Sequence, residues 1–88
     1  MINHTAEVID FIDKVLILAS QFDFSVTSWI RTPKRNKAVG GNPKSKHLTG
    51  MGIDIVLDDP SLTLKFCQEA KKLELRFLDE GDHIHLQV

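Results

Sequence analysis

The chain lacks most of what would set it apart from an ordinary soluble domain. It has a single cysteine, Cys67, so no intrachain disulfide can form and folding does not depend on an oxidising compartment. Set in an apolar pattern, that thiol reads as a small buried hydrophobe rather than a reactive group. Neither sign of charge dominates. Eleven basic residues stand against twelve acidic ones, a net charge of −1, which gives no global attraction to nucleic acid or to an anionic membrane. Long apolar runs are missing too. The stretch Val15-Leu16-Ile17-Leu18-Ala19-Ser20 is far too short to span a bilayer, and Glu7, Asp10 and Asp13 precede it where an export signal carries basic residues. The expectation is a chain made in the cytoplasm without an export signal of its own. No internal repeat or low-complexity segment is visible.

What is present begins with size. At 88 residues the chain makes one domain over residues 1–88. Such a domain buries only roughly 60–70% of its unfolded surface, so its core is modest and a bound metal would help to hold it. Charge is unevenly spread: Arg31, Lys34, Arg35, Lys37, Lys44 and Lys46 follow one another with no acid between them. A basic segment on a near-neutral protein attracts anionic ligands locally. It lacks the interleaved aromatics of a nucleic-acid surface, so no nucleic-acid partner is expected.

Apolar Val8, Phe11, Ile12, Val15, Leu16 and Ala19 recur at helical spacing between Thr5 and Phe22, with Thr5 suited to the N-cap. Phe24 to Ile30 alternates and is rich in β-formers, which predicts a strand. Residues 31–46 contain Pro33, Gly40, Gly41, Asn42 and Pro43 and read as a long irregular loop. A strand over Gly52–Leu57 follows. Then comes a helix capped by Asp59, with Pro60 in its first turn and Leu62, Phe66, Ala70 and Leu73 as its buried stripe. Glu74–Leu78 and His83–Val88 form a closing hairpin around the turn Asp79-Glu80-Gly81. The sum is an α+β domain, a small antiparallel sheet of about four strands with two helices packed against it.

The chemistry gathers in Ser45-Lys46-His47-Leu48-Thr49-Gly50-Met51-Gly52-Ile53-Asp54 and in Asp82-His83-Ile84-His85. His47 and Asp54, seven positions apart with two glycines between, cannot share a helix face. A turn with His47 at its mouth and Asp54 on the following strand suits them, the glycines letting backbone pass close by. His83 and His85 are two apart on a strand and point to one face, so one can bind metal while the other meets substrate. Two imidazoles and a carboxylate make a three-ligand zinc site with a fourth position free, and a nearby acid can serve as general base. Glu80 and Asp82 each stand three residues before a histidine, and spacing does not choose between them.

The first of these stretches resembles the Ser-x-His-x-x-Gly-x-Ala-x-Asp signature of zinc D-alanyl-D-alanine carboxypeptidases and L-alanyl-D-glutamate endopeptidases, a family allied to hedgehog and lysostaphin-type domains. His83-Ile84-His85 is similar to the family's closing His-x-His, and Asp82 matches the acid three residues before its zinc ligand. Ser28-Trp29-Ile30-Arg31-Thr32 resembles its Ser-Gly-Tyr-Arg-Ser/Thr segment. The resemblance covers residues 24–88. It implies zinc on His47, Asp54 and His85, general-base catalysis by Asp82 assisted by His83, and substrate anchoring by Arg31. Ser45 is expected either to steady this substrate side through a hydrogen bond or to be an ordinary loop serine. The implied function is hydrolysis of peptidoglycan stem peptides, whose carboxylates Arg31 can hold bidentately. Lack of a signal and small size would suit a phage or prophage lysis enzyme, reaching the wall after release or as a virion component. The competing expectation is a zinc-binding module that grips the wall without cutting it. Three departures stand out: Gly52 in place of the usual alanine, expected to be harmless; no Trp or Tyr flanking the last ligand; and a chain shorter than typical members.

Overall fold

In the computed structural model of the protein, residues 5–42 and 44–88 are described, with Leu48 as backbone only. His4, expected to have no role, and Pro43 of the expected loop lie outside them. Helix α1 (Thr5–Ala19) leads into strand β1 (Phe24–Ser28), a short helix α2 (Pro33–Ala38), a 3-10 turn (Lys46–Leu48) and strand β2 (Gly52–Leu57). A second 3-10 turn (Pro60–Leu62) runs into helix α3 (Thr63–Lys72), and strands β3 (Arg76–Asp79) and β4 (Ile84–Gln87) close the chain. The four strands form one antiparallel sheet in the order β1-β2-β4-β3, so β2 and β4 are its centre.

The two faces of this sheet follow from strand parity. Ile53, Ile55 and Leu57 of β2 and Ile84 and Leu86 of β4 point to one side, where they join Phe11 and Leu18 of α1 and Phe66, Cys67 and Ala70 of α3 in a single buried cluster. Phe66 is its pivot, meeting Phe22 and Phe24 edge-to-face at centroid distances of 5.2 and 5.7 Å. Burying one such ring is worth about 1.5–3 kcal/mol, a sizeable share of what so small a domain can have. The opposite parity sends Asp54 of β2 and His85 of β4 to the other face, directly opposite each other in register. Burial among these apolar neighbours pushes the Cys67 thiol up, with Asp79 adding to the rise, consistent with an inert core residue.

Several boundaries differ from the sequence expectation. Thr5 is already helical rather than a cap. β1 stops at Ser28 after an irregularity between Val26 and Ser28. The expected loop contains α2, because Thr32 caps it, Oγ1 accepting from the Arg35 N–H at 3.1 Å, and Pro33 supplies a preset first turn. Asp59 and Pro60 start a 3-10 turn instead of α3 itself. Leu62 is therefore 37% exposed and Cys67 takes its place in the stripe. At the far end of α3, Glu74 adopts φ +63°, where it donates to the Lys71 carbonyl while Leu75 N–H reaches back to Ala70. This paired C-terminal motif delays β3 to Arg76. Among the described residues no helix is long and apolar enough to cross a membrane.

Candidate metal centre

The centre is assembled from three short-range devices. Ser45 caps the 3-10 turn, its Oγ accepting from the His47 N–H at 3.2 Å, which is the steadying bond expected of it. Gly50 at φ +76° then reverses the chain into β2. Gly52 lies so close to the turn that a Cβ there would stand 2.8 Å from Lys46 Cβ and 3.1 Å from its carbonyl carbon. The glycine in the alanine position is therefore not a neutral exchange in this chain. It is what lets the His47 turn sit on the first residue of β2.

His47 and Asp54 are 2% and 7% exposed. His47 Nε2 lies 3.3 Å from Asp54 Oδ1, and His85 Nδ1 lies 2.9 Å from the same oxygen. The two imidazole rings are 5.1 Å apart. The outward nitrogens decide the tautomers. His47 Nδ1 lies 2.6 Å from the Trp29 carbonyl, which can only accept, so this nitrogen carries the proton. His85 Nε2 lies 2.9 Å from Gln87 Oε1, an acceptor on the outer side of the ring. In the neutral tautomers that turn those protons outward, His47 Nε2 and His85 Nδ1 present lone pairs beside a carboxylate oxygen, a donor set that suits a cation. Tetrahedral zinc with bonds of about 2.0–2.1 Å sets its ligand atoms roughly 3.3 Å apart, close to the separations observed. The residues fit the metal, and both imidazoles have the outer-shell acceptor that metal-binding histidines require.

Around this cluster stand the other expected residues. Arg31 turns inward. Its Nη2 lies 3.4 Å from Asp54 Oδ2, Nε donates to Ser28 Oγ at 3.2 Å and Nη1 to Asn36 Oδ1 at 3.4 Å. Asn36 is itself buried and donates to the Asn42 carbonyl, tying α2 to the loop that follows. His83 precedes β4, its Nδ1 2.6 Å from Asp82 Oδ1 and its Nε2 3.5 Å from Glu80 Oε1. Asp82 holds the His83 imidazolium above the usual histidine range, opposed by partial burial and helped by Asp54 and Glu80. The Asp82 side chain is 87% exposed. A cleft of about 100 Å³ opens beside the pair, lined by Val56, Pro60, Gly81, Asp82 and His83 among others.

Of the residues singled out in the sequence, the fold brings together His47, Asp54 and His85, sets Arg31, Glu80 and His83 beside Asp54, and leaves Asp82 exposed and joined to them only through His83. Three contributors were missed. Trp29, read as core, packs on the core but also gives its carbonyl to His47 and its indole N–H to the Gly50 carbonyl at 2.8 Å. A backbone carbonyl leaves no mark in a sequence. Asn36 left none either. Gln87 was legible, since it shares strand parity with His85.

A buried His-Asp-His cluster on the face of a four-stranded antiparallel sheet away from the core makes a candidate cation centre on an α+β scaffold. Residues 2–87 match the model of the Peptidase M15 family, and the chain belongs to that family. Its fold is similar to that of the Serratia marcescens L-Ala D-Glu endopeptidase ChiX, with a TM-score of 0.64 over 90% of this chain and 77% of that one, at 18% identity. No curated protein matches the chain.

Proposed function

We propose that this protein is a zinc-dependent peptidase that hydrolyses peptidoglycan stem peptides. The observation that carries the reading is the convergence of three acceptor atoms whose remaining imidazole protons are already committed outward. His47, Asp54 and His85 would hold the zinc. When bound, zinc supplies Lewis-acid activation of the scissile carbonyl and of the attacking water. Family membership supports a peptidase, and the activity named for the Serratia protein favours the L-Ala-D-Glu endopeptidase type over the D-Ala-D-Ala carboxypeptidase type.

The chain's own groups divide the remaining work. Asp82 takes the proton from water and later gives it to the leaving amine, a role worth about 10²–10⁴-fold. His83, whose affinity for its proton Asp82 raises, donates from Nε2 to the oxyanion that develops on the carbonyl, contributing on the order of 2.7–4 kcal/mol. Arg31 orients Asp54, and its long 3.4 Å contacts leave the guanidinium able to meet a substrate carboxylate as well. The cleft beside His83 offers room for one small side chain of the peptide.

The test is turnover. Zinc-loaded protein should release new amino groups from defined muropeptides, and Asp82→Ala should abolish release while keeping the metal. Zinc and wall affinity without any cleavage would select a binding module instead.

A further inference from the structure

We propose that Asp54, Glu80 and His83 form a second divalent-cation site that shares the Asp54 carboxylate with the first, and that a zinc ion taken up there inhibits the enzyme. One ligand atom from each of the three lies within 4.8 Å of the others. The pair His83 Nε2 and Glu80 Oε1 is 3.5 Å apart, a separation a tetrahedral ion can bridge.

Two further features point the same way. His83 Nδ1 is bonded to the Asp82 carboxylate at 2.6 Å, which directs Nε2 towards Glu80 and the cluster. This is the carboxylate-imidazole arrangement that orients metal-binding histidines, and it repeats on the turn what Trp29 and Gln87 do at the first centre. The turn also concentrates charge: Asp79, Glu80 and Asp82 put three carboxylates into four residues with no basic residue among them. Paired-metal hydrolase sites hold two ions about 3.5–4 Å apart, and a carboxylate with two oxygens can serve both.

The second site is the weaker of the two for stated reasons. Arg31 already lies 3.4 Å from Asp54 Oδ2, and a second cation must compete with it for that oxygen. Inhibition follows because His83 Nε2, once it holds the ion, no longer faces the oxyanion. This consequence rests on the peptidase reading, whereas the binding does not.

Metal-stripped protein titrated with zinc alone, with bound zinc counted per chain, decides the matter. Wild-type protein is expected to take up two ions, the second about 10–100-fold more weakly, and Glu80→Gln only one, with first-site affinity within about threefold of wild type. Turnover of muropeptides by wild type should fall as the second ion binds, whereas the turnover of Glu80→Gln, whatever its basal level, should not change over the same zinc range. Saturation of wild type at one ion, or two ions on Glu80→Gln, would overturn the site. Two ions without loss of turnover would overturn the inhibition. Two ions on a protein that never cleaves would sink the peptidase reading and leave the cation site standing.

Discussion

The ligand cluster and the hairpin turn beside it carry the same residue types in different settings. His47, Asp54 and His85 are held by the sheet, by a glycine-dependent turn and by acceptors behind each imidazole. Glu80, Asp82 and His83 sit on an exposed turn and are held chiefly by one another. On the proposed peptidase reading, the contrast teaches how a small domain divides its labour. Metal binding needs ligands fixed before the ion arrives, because reorganising them would subtract from affinity. Proton transfer needs groups that water and substrate can reach.

The sharpest way to break this division is to compare one carboxylate from each region. Asp54→Ala should lose zinc altogether at micromolar protein, and Asp82→Ala should retain it while turnover falls by about 10²–10⁴-fold; metal content and muropeptide kinetics read the two effects separately. Loss of zinc in Asp82→Ala would erase the distinction. Gln87→Ala tests whether the outer shell matters as much as argued. Zinc affinity should drop about 10–100-fold by competition with a chromogenic chelator, with the fold unchanged by circular dichroism. At Gly52, the family's usual alanine should cost about 1–3 kcal/mol in urea denaturation, since its methyl meets the Lys46 backbone. The smallest effect belongs to the support of the turn. Glu74→Gly relieves a left-handed residue at the end of α3 and should stabilise the fold by about 0.5–1 kcal/mol without changing zinc affinity.

The fold was legible where pattern and burial agree. β2 was read to the residue, because Gly52 to Leu57 is apolar around Asp54 and lies at the centre of the sheet. α2 was missed because its six residues carry no apolar stripe. Its helix comes from Thr32 and Pro33, and its buried Asn36 serves the loop rather than the core. That this position favours glycine over the family's alanine was not legible either, since the contact with Lys46 exists only once the turn has folded back.

The sequence by itself determined the class of fold, the family and the candidate chelating set. Periodicity sorts residues onto faces, and the spacing of His47, Asp54 and His85 is specific. Only the tertiary structure decided which imidazole nitrogens face inward, that Arg31 leans on Asp54, and that Glu80 and His83 border the same carboxylate. Those are relations between segments distant in the chain, fixed by strand pairing and by backbone acceptors that no side-chain pattern records.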